Sequence, residues 1–488
     1  MRLADISGFG GIDADADELL DRCFQDHPAY LNALEHERFL IIGRKGSGKT
    51  AIFKRLLKDK DPAHFCFGYT FDDYPWVHHD LQAQQGVPEE RRYVHSWKYL
   101  ALMGTAKLLM NCDHSQPWSD EAADALAILE DFIVDSYGSR DPDLTQLFSP
   151  EKELKIKAGL HLKFLDISGE RVKVPDLPVH VQDVNRRVGD CVLKALNPEN
   201  RYYICFDQLD LGLSTTDPKY AHRLIGLILA GRDLNIMARE AGKRFSVVIF
   251  LRDDIYKRLQ FEDKNKITEN HLSRIAWDQP RSEFTLKHLM ERRFKEVLDD
   301  DASWETLFDE DKEMPSRQSK YAHMRDRTFL RPRDMIKFCN LVLAAYKARE
   351  GELPERFTNE DVINARARYS QYLLAELADE IHKHVPHYEE YLEIIKTIGR
   401  TQFTKEQFID RWNQRPALAD SDTHPEAALE ELFEFSVVGY LKTGGGGGGS
   451  SYVWRYIDPS ARFSPDASTF RVHPGFKEAL DLAKGLRE

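Results

Sequence analysis

The run Gly43-Arg44-Lys45-Gly46-Ser47-Gly48-Lys49-Thr50 constrains this chain more than any other stretch. It reads G-x-x-x-x-G-K-[ST]. Apolar residues Phe39-Leu40-Ile41-Ile42 lead into it, and Ala51-Ile52-Phe53-Lys54-Arg55-Leu56-Leu57 follows with apolar positions at helical spacing. A strand before and a helix after is the context that a phosphate-binding loop requires. Gly43, Gly46 and Gly48 are expected to let the backbone curl at φ values that side chains resist. The amides of the loop, backed by a helix N-terminus, then point at a phosphate. Lys49 can reach the β- and γ-phosphates, and the Thr50 hydroxyl can ligand Mg²⁺. The expected cradle is Gly43, Arg44, Lys45, Gly46, Ser47, Gly48, Lys49, Thr50 and Ala51. No N-K-x-D element selects guanine and no L-S-G-G helix marks a transporter ATPase, so ATP is the expected base.

A hydrolysing site of this kind needs a second strand that ends in an acid for the metal shell. Arg201-Tyr202-Tyr203-Ile204-Cys205-Phe206-Asp207 supplies one, with Asp207 as the metal acid; an ordinary turn aspartate capping a core strand is the alternative. Gln208 follows, where a water-polarising Glu often stands. It cannot act as a base but can orient water, and Asp210 is the nearest carboxylate for the base role. A third strand, 244–251, ends in Arg252-Asp253-Asp254. Arg252 is a candidate γ-phosphate sensor, or an arginine paired with Asp253 or Asp254. Residues 64–71 form a further strand. Strands separated by helical stretches imply a parallel sheet with the nucleotide outside its carboxyl ends.

Residues 312–337 carry eight basic side chains against three acids. Arg331-Pro332-Arg333-Asp334 lies among them, with Pro332 suited to the first turn of a helix and Asp334 to its positive end. Arg333 is a candidate arginine reaching back to a bound phosphate. A solvated basic helix start or a nucleic-acid backbone contact are the other readings. Arg274, Arg292 and Arg293 are weaker candidates for a finger toward a neighbouring subunit, set against ordinary ion-pair arginines.

In the last third, Thr358 with Asp361 and Thr404 with Gln407 spell two capping boxes. A helix at 427–435 precedes apolar β-prone segments at 437–441, 452–457 and 470–473, the plan of a winged helix. Glu426, Glu430, Glu431 and Glu434 make that helix a poor reader of a polyanion, which favours a lid or docking role. The glycine run 444–449 lacks the flanks of a phosphate loop. Residues 72–200 read as mostly helical with a weakly alternating strand at 160–167, and His78, His79, His95 and His114 lack metal spacing.

With 488 residues, roughly three domains fit. Those expected are a P-loop core over 1–300 with a helical insert near 75–200, a helical lid over 301–380 and a winged-helix-like domain over 381–488. The net charge of −13 argues against a surface that coats nucleic acid or anionic lipid, though local basic patches stay open. Six scattered cysteines form no metal or disulfide framework, the N-terminus is acidic, and no apolar run approaches 18 residues. A reduced, cytoplasmic protein off the membrane is expected.

Residues 43–53, 206–210, 252–254 and 331–334 together resemble bacterial P-loop ATPases similar to the STAND and KAP classes and related to AAA+ proteins. The resemblance spans about residues 1–340. It implies an ATP-driven switch, often a regulatory or sensing subunit in conflict systems such as anti-phage defence. It carries over Lys49 and Thr50 as phosphate and magnesium ligands, Asp207 as the metal acid, Arg252 as sensor and Arg333 as lid arginine. Gln208 departs from the usual acid, and no sensing repeats follow, which implies a separate protein partner or effector. The reading is an α/β P-loop ATPase of ASCE type that binds ATP and Mg²⁺, self-assembles and turns over slowly. A DNA-associated motor or loader and a nucleotide-gated scaffold are its rivals.

Overall fold

The computed structural model describes residues 3–71, 79–80, 89–148, 177–210, 218–279, 282–315, 317–419, 423–444 and 449–483. The strand expected at 160–167, His78 and most of the glycine run lie outside the described residues. Two compact units emerge. One is Asp26–Arg44 with Lys49–Ile275; the other is Met1–Gln25, Lys45–Gly48 and Ala276–Glu488.

The first unit is built on five parallel strands: β1 Leu40–Gly43, β2 His64–Tyr69, β3 Arg201–Phe206, β4 Phe245–Arg252 and β5 Leu272–Arg274. Their order is β2-β3-β4-β1-β5. β4 thus separates the strand before the glycine-rich loop from the strand that ends at Asp207, the ASCE arrangement. Every residue of β4 is buried, as expected of a central strand covered on both faces. Helices Val94–Asn111 and Pro218–Glu240 cover the sheet, with Trp97, Leu100, Met103, Leu224 and Ile228 in its core. Helices Asp120–Tyr137 and Leu177–Ala195 pack alongside Val94–Asn111, so the expected helical stretch is present where it is described. β5 is three residues at the sheet edge, too short for any periodic signal, and sequence reading placed only an arginine there.

The second unit is mainly helical, with Leu286–Val297, Pro332–Lys347 and Asn359–Ile381 as its longer helices, followed by a winged-helix-like module. In that module helices Tyr388–Ile398, Lys405–Trp412 and Pro425–Glu434 accompany a four-stranded antiparallel sheet. Its strands are β6 Gln402–Thr404, β7 Val438–Lys442, β8 Ser451–Val453 and β9 Thr469–Val472, in the order β6-β9-β7-β8. Both capping boxes form. β6 immediately precedes the Thr404 cap and pairs with β9, stacking Phe403 on Phe470 with centroids 5.8 Å apart. The segment expected as one strand over 452–457 stops at Val453, after which the chain turns.

Candidate functional site

The glycine-rich loop follows β1 and ends where helix Lys49–Leu57 begins. Gly46 and Gly48 adopt φ of +77° and +110°. Nothing lies within 4 Å of where a Gly48 Cβ would stand, so backbone strain alone reserves that position for glycine. Gly43 differs from expectation. It takes no positive φ but ends β1 in register with Arg252 of β4.

Within the sheet unit, the Lys49 ammonium donates to the carbonyls of Gly43 and Arg44, both at 3.0 Å. Burial lowers its pKa, opposed by the charges of Asp210 and Asp207. Asp207, one residue beyond β3, is 2% exposed. Burial raises its pKa, while Lys49, the Thr50 hydroxyl and the Gln208 amide pull it down. One of its oxygens, Oδ2, has no hydrogen-bond partner, and neither does Oε1 of Gln208. Gln208 itself sits at φ +59°, a left-handed conformation that costs a residue with a Cβ about 1 kcal/mol. Strain and unspent polar capacity therefore coincide at the end of β3.

That donor set suits Mg²⁺. The ion prefers one or two protein oxygens and fills its octahedron from phosphates and water. A hydroxyl from Thr50 and a spare carboxylate oxygen from Asp207 provide that many and no more. Among the described residues no cluster of three or more His, Cys, Asp or Glu forms an all-protein cage.

Arg252 is buried and fully engaged. Its Nε and Nη2 lie 3.0 and 2.8 Å from the Asp254 carboxylate, and Nη1 donates to Asp210 at 3.1 Å. The Asp210 oxygen expected to serve as a base thus already accepts from a guanidinium. Arg274 pairs with Asp253.

In the other unit, Lys45–Gly48 are gripped by residues of the C-terminal region. Arg331, 1% exposed, donates Nη1 to the Lys45 carbonyl at 2.9 Å and to Glu380 at 2.6 Å, and bridges both oxygens of Asp334 at 2.9 and 3.0 Å. Asp334 also accepts from the Phe329 amide. Trp277 Nε1 donates to the Ser47 carbonyl at 3.0 Å. The Lys45 ammonium lies 2.9 Å from Asp379 and 3.5 Å from Glu376. Arg333, the arginine singled out from sequence, packs its Cβ and Cδ on Gly46 while its guanidinium binds Glu376 at 3.0 Å and the Ile12 carbonyl at 3.1 Å. Sequence reading passed over Trp277 and ranked Arg333 above Arg331. The missed signal was the acidic face Glu376, Asp379, Glu380, whose i, i+3, i+4 spacing gives arginines and lysines one surface to meet.

The other finger candidates are tied within this unit as well. Arg293 is buried against Asp17, and Arg292 donates to the Phe24 carbonyl. Most of the basic stretch 312–337 is not a solvated face, with Lys312 and Arg317 its exposed members. Lys320 and Arg331 are buried, Arg325 pairs with Asp326, Arg333 with Glu376, and Lys337 lies over the Tyr372 ring.

Residues 285–378 match the model of the FunZ-associated C-terminal helical domain, so Arg331, Arg333 and Glu376 all fall inside that match. The chain is 23% identical over 390 residues to an Escherichia coli (strain K12) protein described as "Putative transposon gamma-delta 80.3 kDa protein", covering 78% of this chain. It spans about half the length of that relative, 52%. Among solved structures it is similar to the Aeropyrum pernix ORC1 protein in complex with DNA, at 13% identity, with 96% of this chain and 93% of that chain covered. The TM-score of that likeness is 0.36. No described helix is long and apolar enough to cross a membrane. The chain has an α/β fold with a phosphate-loop sequence in its structural context, and residues 285–378 after it are similar to the FunZ-associated C-terminal helical domain.

Proposed function

We propose that this protein binds Mg-ATP through Lys49, Thr50 and Asp207 and hydrolyses it slowly as a molecular switch. The observation that carries the reading is the buried Oδ2 of Asp207, left without a hydrogen bond beside the Thr50 hydroxyl and the Lys49 ammonium. A desolvated carboxylate with a spare oxygen is costly unless a cation completes it. Magnesium, when bound, supplies Lewis-acid polarisation of the phosphates. Lys49 exchanges its loop carbonyls for phosphate oxygens. Gln208, with its unpartnered amide oxygen, orients the attacking water. Asp210 stays on Arg252 and fixes that guanidinium. With Asp210 held by Arg252 instead of by water, turnover is slow.

Self-assembly, a protein effector and a cytoplasmic setting complete the proposal. The anti-phage context rests on the motif resemblance alone. The rival DNA-track reading loses its main sequence support because most of the 312–337 basic residues are engaged within the chain. The scaffold reading differs only in turnover. Calorimetric ATP titration with and without Mg²⁺, alongside phosphate release, tests the proposal in the whole chain and in Lys49→Ala and Asp207→Asn. Binding that ignores Mg²⁺ and survives Lys49→Ala would overturn it. Tight Mg-dependent binding without phosphate release would leave the scaffold.

A further inference from the structure

The end of the parallel sheet remote from Asp207 carries a cavity of about 410 Å³. It opens where β3 and β4 begin, beside the carboxyl end of helix Pro218–Glu240 and the turn after helix Pro28–Leu34. Arg201 is the first residue of β3 and Asp207 follows its last, so strand rise alone sets the two about 20 Å apart. Four cationic side chains line the cavity, Arg201, Arg239, Lys243 and Arg244, against one carboxylate, Glu35. Glu35 lies 3.6 Å from Arg201, which also has Asp61 at 3.9 Å. The Lys243 ammonium donates to the Leu196 carbonyl at 2.6 Å and lies over the Trp118 ring. Among the described residues, no carboxylate stands at ion-pair distance from Arg239, Lys243 or Arg244.

Composition does not produce this excess, in a chain of net charge −13. Nor does the helix. Its carboxyl-end dipole is worth roughly half a charge and attracts one of the four cations at most, while Arg201 begins β3 and Arg244 immediately precedes β4. The backbone that presents these groups is fixed. Gly242 closes the helix at φ +67°, its amide donating to the Arg239 carbonyl at 3.0 Å and the Lys243 amide to Ala238 at 2.9 Å. Asn235 accepts from the Val247 amide at 2.7 Å and donates to the Val247 carbonyl at 3.1 Å, which fastens the same helix to β4. Across the cavity, His36 has its Nδ1 2.8 Å from the Ser246 hydroxyl and its ring stacked on Tyr203. Burial keeps that imidazole neutral, and the positive charges of Arg201, Arg244 and His64 act in the same direction.

Guanidinium forks match phosphate and carboxylate oxygens in pairs. Charge density separates the two ligands. A carboxylate brings one negative charge and a phosphate about −1.5 to −2, so two linked phosphates meet an excess of three positive charges. The volume is at the small end of the range for ligand cavities. We infer that this cavity binds a diphosphate group, free or as the tail of a nucleotide, at a site separate from Lys49. The phosphates lie among the guanidinia of Arg201, Arg239 and Arg244, and Lys243 adds its charge. The site stands whether or not the phosphate loop hydrolyses ATP.

Calorimetric titration of the full chain carrying Lys49→Ala tests this with the phosphate loop disabled. Inorganic pyrophosphate and ADP are the probes, both without Mg²⁺. Saturable binding is expected, weakening as salt rises. Arg239→Gln combined with Arg244→Gln, both at exposed positions, is expected to weaken it about tenfold or more with the thermal unfolding midpoint unchanged. Tighter binding of pyrophosphate identifies a free diphosphate as ligand, and tighter binding of ADP a nucleotide tail. Should Lys49→Ala fail to fold, the wild-type chain is titrated instead, and the double variant is expected to remove one of two sites. Absence of binding by both probes at millimolar concentration, or binding indifferent to the double variant, overturns the inference. Binding of a hexaglutamate peptide in place of both probes also overturns it, in favour of an acidic protein surface.

Discussion

Two buried ionic clusters in this chain are made of similar parts and finished differently. Around Arg331, the guanidinium meets both oxygens of Asp334, one of Glu380 and a backbone carbonyl, and Asp334 takes an amide besides. Around Asp207, an equally buried carboxylate keeps an oxygen without a partner, and its neighbour Gln208 adds another at a strained φ. A completed cluster holds its surroundings in one geometry; an incomplete one retains free energy that a ligand can release. The first cluster is read as framework for the loop residues 45–48 and the second as the place where binding happens.

The sharpest way to break this comparison is Arg331→Ala. It removes the guanidinium that two buried carboxylates share and is expected to cost about 3–5 kcal/mol in chemical denaturation. A cost near that of an exposed pair, below about 1 kcal/mol, would remove the framework reading.

Asp207→Asn probes the other cluster with opposite sign. Phosphate release is expected to fall about a hundredfold or more, while the nucleotide-free protein becomes no less stable or gains about 1 kcal/mol, because a carboxylate held above its usual pKa is removed. A loss of more than about 2 kcal/mol would place Asp207 with the structural cluster.

His36 sharpens the comparison through pH. Burial, then the charges of Arg201 and Arg244, lower its pKa to about 4 from 6.5. The folded state keeps the ring neutral while the unfolded chain takes up a proton below 6.5. Stability should therefore hold above pH 6.5 and fall as pH drops toward 4, by at most about 3 kcal/mol from this group. Asp207 works in the other direction, since its raised pKa makes acid less costly to the fold. Denaturation midpoints across pH in wild type, His36→Gln and Asp207→Asn separate the two, the first variant flattening the slope and the second steepening it.

The smallest effect calibrates the rest. Thr404→Ala removes one capping box and is expected to cost about 1 kcal/mol, with ATP binding unchanged by calorimetry.

Much of the fold was legible because its signals are local. The apolar runs of β1 to β4, the caps at Thr358 and Thr404 and the helix after Lys49 each declare themselves within a dozen residues. β5 did not, because three residues at an edge carry no period. The candidate site was legible to the same extent. Lys49, Thr50 and Asp207 announce themselves by spacing and by strand ends. The partner of each arginine does not, because an arginine that pairs with a carboxylate dozens or hundreds of residues away looks in sequence like one that is unengaged. Arg252 with Asp210, Arg293 with Asp17 and Arg333 with Glu376 all proved to be engaged in this way.

The sequence alone determined the elements and the phosphate loop, since dihedral preference, capping and hydrophobic period act over a few bonds. Only tertiary structure decided that β4 separates β1 from β3, which oxygen of Asp207 stays unpaired, and which cations the acidic face of helix Asn359–Ile381 neutralises. Those outcomes depend on charges and strands brought together from far along the chain, and electrostatic pairing is blind to sequence separation.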